Sequence, residues 1–560
     1  MDFKKEIVKL LNKEVKLENI ESLIEIPPED ALGDYAFPCF ILAKEFRKNP
    51  NDISRDLSRK LKSKSFEKIE NNGPYLNFFV NKSILIKEVL DNINELKSKY
   101  GSSNIGKNKK IMVEFSSPNT NKPLHLGHLR NIFLGDSLSK ILSFNGYNVI
   151  KTNLNNDRGI HICKSMLAYQ IFGNNKKPDK KPDHFIGDFY VLYENRKTLE
   201  LEQELKEMLF KWENNDRKVR ALWKKMNNWA LQGFNETYKR LGIKFDKQYY
   251  ESKFYDKAKQ VINEGLKKKI FDKQEDDSVI ARLNEYGLPD KILLRSDNTS
   301  IYITQDIYLA ELKFKEFKLD KSIYVVANEQ NLHFKQLFKI LELLGYKWAK
   351  NCYHLSYGYV SLPSGRMKSR EGIVIDADDL LDEMENLAEK EVIKREKLNK
   401  QELNKRSKAI GHSALKFFIL KYDPSKDFVF NPEESLSFEG YTGPYIQYTI
   451  ARINSILKKA KCRESKVNFD LLKDDLEFKL IKMMDSFKDI IIKSCDEYKP
   501  SLLANYTFEL SQVFNEYYHR CQVINDDKGL MKSRLFLIKN VKQVLENGLY
   551  LLGIAVLDRM

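Results

Sequence analysis

The stretch IMVEFSSPNTNKPLHLGHLRN, residues 111–131, decides the fold. Its first five residues, Ile111 to Phe115, are an apolar run of strand length, and the polar loop SSPNTNKP follows. After the loop, Leu129, Ile132, Phe133, Leu138, Ile141 and Leu142 recur on one helical face. A second strand, NVIKTNL, comes next. Strand, loop, helix and strand in that order open a parallel α/β nucleotide-binding fold.

Outward from there, residues 1 to about 100 mix amphipathic helices (FKKEIVKLL, PCFILAKEF, ISRDLSRKLKS) with the strand YLNFFVN and a closing helix. The link YGSSNIGKNKK ends this α+β part. From about Asn174 to Asn235 the pattern is helical and highly charged, which predicts an insertion. The stretches ILLRS, IYIT, SIYVVA and HLSYGYVSL read as further strands. From Asp378 onward nearly everything has helical periodicity, so an all-α bundle follows the α/β core. The predicted domains are 1–105, 106–390 and 391–560.

Composition narrows the class. The chain has 560 residues, 42% of them hydrophobic and 31% charged, as expected of a globular protein with several domains. No apolar run reaches the ~18 residues of a membrane span, and the basic and acidic N-terminal helix does not read as a targeting signal. Lys plus Arg is 95 and Asp plus Glu is 79, a net charge of +16. That excess fits a polyanionic partner, nucleic acid first, and equally a lysine-rich composition throughout. Six scattered cysteines without a C-x-x-C pair predict a reducing, cytoplasmic setting with neither disulfides nor a structural zinc site.

Two motifs carry chemistry. In His125-Leu126-Gly127-His128 a glycine at a helix start lets a nucleotide approach the backbone. The helix end is expected to offer unpaired N–H groups to phosphate, and the imidazoles to donate to oxygens that gain charge as pyrophosphate leaves. The second motif, SGRMKSREG at 364–372, places Arg366, Lys368 and Arg370 within five residues. A cationic loop of this kind can close over a triphosphate, or be a solvated hairpin.

Together these motifs resemble the two signatures of class I aminoacyl-tRNA synthetases, and the wider chain is similar to the arginyl-tRNA synthetases. EFSSPNTNKPLHLGHLRN, TSIYITQDI, YVVANEQNLHFKQ, FEGYTGPYIQYTIAR and the ending GLYLLGIAVLDRM carry the likeness from end to end. The resemblance implies a Rossmann-type catalytic core, arginine activation with ATP and Mg2+, and transfer to tRNA(Arg) by a monomer. It implies an N-terminal domain that contacts tRNA and a C-terminal anticodon-binding bundle.

By the same resemblance, Glu114, Asn119, Tyr302, Asp306 and Gln330 hold arginine, with Glu251 a further carboxylate. An arginine substrate requires such groups, because a desolvated guanidinium is compensated only by well-placed carboxylates. Ser116, Gly127, His333, Arg366 and Met367 are implied at the ATP site. His125, His128, Lys122, Lys368 and Arg370 are the implied catalytic set. The family's second motif ideally has lysine at its fourth position, where this chain has Ser369; Lys122 is the implied compensation. For tRNA the resemblance points to Asn77 and Phe79, and to Tyr445, Tyr448, Arg452 and Met560. Tyr445, Tyr448 and Arg452 share one helical face, as a stacking platform does; a stripe packed in the core has the same spacing. Two other readings are a small-molecule adenylate-forming enzyme, which has no use for the bundle, and an inactive RNA-binding paralogue, against which both histidines stand.

Overall fold

The structure, a computed structural model, describes residues 3–255, 257–296, 301–363, 375–460 and 467–560. The signature loop of residues 364–372, with Arg366, Met367, Lys368, Ser369 and Arg370, lies outside the described residues.

The chain packs into two compact units. One comprises residues 1–100, 452–487 and 512–544. Its sheet is antiparallel, with strands β1 (Tyr35–Pro38), β2 (Phe66–Asn72) and β3 (Tyr75–Val80) in the order β1-β3-β2. Leu76, Phe78 and Val80 of β3 are buried, and Phe66 packs on Phe78 with ring centroids 5.2 Å apart. Helices Phe3–Leu11, Pro50–Lys60 and Lys82–Leu96 complete the N-terminal part. Lys482 pairs with Asp34 at 2.7 Å, and the Tyr100 hydroxyl donates to the Met484 carbonyl at 2.9 Å, so the N-terminal part and residues 452–487 share one packing unit.

The other unit, residues 101–451, 488–511 and 545–560, holds the parallel α/β fold. Five parallel strands form its central sheet: β4 (Lys110–Glu114), β5 (Asn148–Asn155), β6 (Lys247–Tyr250), β10 (Lys321–Ala327) and β11 (Cys352–Tyr357). A separate antiparallel sheet contains β7 (Phe271–Lys273), β8 (Val279–Ala281) and β9 (Lys291–Leu294). The central order is β11-β10-β4-β5-β6. The chain winds outward from β4 through β5 to β6, then returns to the other side of β4 for β10 and β11. The order therefore reverses between β4 and β10, and the crevice beyond their carboxyl ends is where such sheets bind ligands. Isoleucine, valine and methionine fill β4 because helices cover both faces of a parallel sheet.

One expected strand is absent. IYIT begins a helix, Tyr302–Phe317, instead. Its β-branched residues look extended, but Ile303, Ile307, Ala310 and Phe314 bury one helical stripe against the core, and that packing overrides local preference. The charged stretch between β5 and β6 folds as helices Pro182–Asn195, Leu199–Glu213 and Arg217–Leu241. No helix among the described residues is long and apolar enough to cross a membrane.

Candidate active site

Beyond β4 the backbone turns sharply, with Ser116 at φ +75° and Ser117 at φ +44°. Left-handed backbone is costly for side-chain-bearing residues and persists where surroundings enforce it. Here Asn131 enforces it. Its Oδ1 accepts from the Ser116 N–H, and its Nδ2 donates to the Val325 carbonyl at 2.7 Å and the Tyr357 hydroxyl at 3.1 Å. One buried amide thus ties the loop after β4 to β10 and β11.

The loop delivers His125 as the N-cap of helix Leu126–Phe144. Its Nδ1 accepts from the Gly127 N–H at 3.1 Å, and its own N–H donates to His128 Nδ1 at 3.1 Å. A β-carbon at 127 would lie 3.0 Å from His125 Cε1, so glycine leaves the imidazole room over the helix end. A backbone N–H can only donate, so both Nδ1 atoms are unprotonated and each neutral ring carries its proton on Nε2. Burial pushes His125 down to about 3 and His128 well below its ordinary value, with Lys122 adding to both effects. At neutral pH the pair is therefore two neutral Nε2–H donors, not general acids.

The expectation of free backbone donors is corrected. The Leu126 N–H donates to the Ile375 carbonyl at 3.2 Å, Gly127 to His125 Nδ1, and His128 and Leu129 to the His125 carbonyl. The first turn is already satisfied, so among the described residues of this loop and helix start the imidazoles and Lys122 are the donors that remain for an anion. Burial also lowers Lys122 from its ordinary value.

Three carboxylates lie at this end of the sheet. Glu114, closing β4, is buried and accepts from Lys313 Nζ at 2.5 Å; Lys313 is 1% exposed. Asp306, in the first helical turns of Tyr302–Phe317, lies 2.7 Å from His333 Nε2. Glu251, directly after β6, is 4% exposed, and its Oε2 has no hydrogen-bond partner among the described residues. Arg158 Nη1 stands 3.8 Å from its other oxygen. Burial raises Glu251 to about 7, with Arg158 opposing, the Asp157 and Asp306 charges adding, and the Gln305 amide nearby opposing too, although it makes no hydrogen bond of good geometry to Oε2. Asp157 fixes it in place by accepting from both the N–H and the Oγ of Ser252 at 2.8 and 2.7 Å. Tyr302 is 65% exposed as a residue, and desolvation of its hydroxyl, with the Glu251 charge adding, raises that group's pKa. Asn119 is exposed and bridged to Asn156; Gln330 is exposed in the turn after β10.

The site expected from sequence thus divides. The described members His125, His128, Gly127, Lys122 and Ser116 are held on one continuous loop and helix start. Glu251 feels the charge of Asp306. Glu114 and Asp306 already have partners, Lys313 and His333, which sequence reasoning did not assign. Asn131, Arg158 and Asp157 were missed as well, although Asn131 stands within the decisive stretch.

The expected RNA contacts differ in accessibility. Asn77, in the middle strand β3, is 3% exposed with its Oδ1 unpartnered among the described residues; Phe79 is half-buried, with Lys68 Nζ 5.1 Å from its ring centre. Asn77 is thus hidden in its own sheet, and Phe79 is the one with surface to offer. Tyr445 and Tyr448 are half-buried; the Tyr445 ring lies 5.4 Å from Phe508. Arg452 donates to Asn515 Oδ1 and lies 4.9 Å from the Tyr518 ring. Met560 is half-buried.

Comparisons with known proteins agree along the whole chain. A family described as "tRNA synthetases class I (R), catalytic domain" matches residues 89–432. The "Arginyl tRNA synthetase N terminal domain" matches 1–80 and the "DALR anticodon binding domain" matches 446–560. The chain is 45% identical to the arginine–tRNA ligase of Treponema denticola, covering 96% of this chain and 94% of that protein. It is 43% identical to that of Treponema pallidum, covering 97% and 96%. The solved Thermus thermophilus arginyl-tRNA synthetase superposes with a TM-score of 0.84 at 26% identity, covering 100% of this chain and 99% of that one.

Proposed function

We infer the residue roles from one premise: the chain belongs to the class I arginyl-tRNA synthetase family. The protein activates L-arginine with ATP to arginyl-adenylate and transfers the arginyl group to tRNA(Arg). What supports the residue-level reading is the pair of neutral Nε2–H imidazoles at the switch point of the sheet, with Glu251 and its buried unpartnered oxygen at the carboxyl end of the same sheet.

In this reading the arginine carboxylate attacks the α-phosphate of ATP and pyrophosphate departs. The His125 and His128 Nε2–H groups donate to phosphate oxygens as they gain charge, without giving up a proton. Lys122 adds a compact positive charge beside them, in place of the lysine missing at Ser369. Lys368 and Arg370 of the signature loop supply the rest, with Arg366 and Met367 against the nucleotide, and Ser116 and His333 line its site. Glu251 Oε2 and Asp306 receive the guanidinium, with Tyr302 and Gln330 beside it and Asn119 on the α-carboxylate. Glu114 contributes from below, through the charge it shares with Lys313.

Magnesium enters with the ATP phosphates as part of the substrate. Among the described residues, Asp183, His184 and Asp378 have metal-ligand spacing, but Lys181 and Arg240 already neutralise them. We also propose residues 1–105 as a tRNA-contacting domain, 106–390 as the catalytic domain and 391–560 as the anticodon-binding domain. The monomeric state and the cytoplasmic setting are likewise proposals.

The test is aminoacylation of total tRNA with each amino acid in turn, followed by ATP–pyrophosphate exchange with and without tRNA. Charging by arginine alone is expected, with exchange dependent on tRNA, because RNA binding energy completes the site. Full exchange without tRNA would show a preassembled site and overturn the dependence.

A further inference from the structure

The inserted helix Pro182–Asn195 bears on the His125 cap from two sides. On one side Gly187 lies against the loop ahead of the cap. A β-carbon there would come within 2.7 Å of Pro123 Cδ and 3.7 Å of Lys122 Cα. On the other side, one turn earlier, His184 Nε2 stands 3.3 Å from Asp376 Oδ1 and 3.7 Å from Asp378 Oδ2.

Asp376 is not a bystander to the histidine pair. It is bridged to His125: the Leu126 N–H donates to the Ile375 carbonyl, and the Ala377 N–H donates to the Leu124 carbonyl at 2.9 Å. Asp376 also caps the helix Ala377–Ile393, accepting from the Asp378 N–H at 2.8 Å. Whatever fixes Asp376 therefore fixes the backbone that carries the first imidazole.

The charges around His184 come from three helices. Lys181 and Asp183 belong to its own segment, Asp376 and Asp378 to the helix start opposite, and Arg240 to helix Arg217–Leu241. Lys181 Nζ lies 2.7 Å from Asp183 and 2.8 Å from Asp378, Arg240 lies 3.6 Å from Asp378, and the Thr237 hydroxyl donates to Asp378. Nε2 makes no hydrogen bond of good geometry among the described residues, but the Asp376 and Asp378 carboxylates facing it as ion-pair partners outweigh burial and raise His184 to about 10, so the ring is charged at neutral pH.

We propose that His184 is a positioning residue for arginine activation: by holding Asp376 it sets the bridge that orients the His125–His128 pair, while Gly187 sets the loop on the other side. The inference rests on the reading of that pair as donors to the ATP phosphates. It assigns to the inserted helix a task within the activation step itself.

The test uses the full chain with tRNA present, in ATP–pyrophosphate exchange, with arginine binding by calorimetry and thermal midpoints measured alongside. His184→Gln removes the charge and keeps a polar side chain; His184→Arg keeps the charge. The glutamine variant should lose activation rate or gain KM for ATP by about 10- to 100-fold, as displaced reacting groups do, while its arginine affinity stays near wild type. The arginine variant should recover most of the loss. Gly187→Ala, acting from the other side, should reproduce the same split between ATP and arginine parameters. A merely structural role predicts a lower midpoint with both substrates affected alike, and that result overturns the proposal, as does wild-type exchange in His184→Gln. His128→Ala is the control. If it leaves exchange intact, the reading of the pair fails and this inference with it; if it impairs exchange while His184→Gln does not, the positioning role alone fails.

Discussion

Arginine binding should be coupled to proton release through Glu251. Burial raises this carboxyl to about 7, against an ordinary value of 4.5. The folded-state value is the higher one, so the linked stability is fully present below about 4.5 and is lost as pH rises through about 7. Above 7 the protein carries a buried carboxylate with an unpartnered oxygen, and a guanidinium supplies what it lacks. At pH 6 about nine-tenths of the molecules hold the proton, and at pH 8 about one-tenth. If only the carboxylate form accepts the guanidinium, arginine affinity rises about tenfold from pH 6 to pH 8, or ~1.4 kcal/mol. Calorimetry of the full chain in two buffers of different ionisation enthalpy reads both quantities. Close to one proton should leave per arginine bound at pH 6, and almost none at pH 8. Glu251→Gln should bind weakly and without pH dependence. An affinity flat from pH 6 to 8 in the wild type, or the same slope retained in the glutamine variant, refutes the assignment.

Asp306→Asn should weaken arginine binding by about 1–3 kcal/mol, a charged hydrogen bond at a part-exposed site, with ATP affinity unchanged; equal arginine affinity in mutant and wild type removes Asp306 from the pocket. Lys122→Ala should slow adenylate formation by on the order of 100- to 1000-fold with substrate binding nearly intact, the mark of a transition-state contact. If pre-steady-state measurement finds Lys122→Ala mild and Arg370→Ala damaging, the signature loop supplies the charge instead. The Tyr445→Ala/Arg452→Ala double variant should stay folded and bind tRNA more weakly, with a salt slope shallower by about one phosphate contact. Unfolding would instead show the stripe to be packing, for which Phe508 and Asn515 provide the partners.

Four of the five strands of the central sheet were legible, because a parallel strand covered on both faces tends to be an apolar run with turn residues at its ends; β6, the short polar KQYY, was missed. IMVEF and SIYVVA have that form, while NVIKTNL shows only Val149, Ile150 and Leu154 of it. Their order was not legible. β10 pairs with β4 from Lys321 opposite Ile111 to Tyr324 opposite Glu114, across more than two hundred residues. Nothing local encodes that neighbour; shape and the covering helices select it. IYIT failed for the complementary reason. Four residues suit a strand, but the stripe that decides their state continues ten residues further, to Phe314.

The chemistry was legible by residue type and illegible by pairing. The sequence presents carboxylates at the right ends of strands, but not which of them are already spent. Glu114 stands alone in its strand, and its counter-ion, Lys313, comes from a helix 199 residues later. A trace of that pairing does exist: Lys313 lies seven residues beyond Asp306, on a helix face otherwise filled by buried apolar side chains, and a lone lysine there must meet an anion. Asp306 in turn has His333. Glu251 alone of the three has a fully buried oxygen without a hydrogen-bond partner among the described residues, and the Asp306 charge is felt there. A guanidinium brings five donors in a plane and no acceptor. On the proposed reading it is matched by the carboxylate with a buried, unpartnered oxygen, so the loss of Glu251, the carboxylate with the weakest signal in the sequence, should weaken arginine binding more than the loss of Glu114 or Asp306, as calorimetry of the three variants would show.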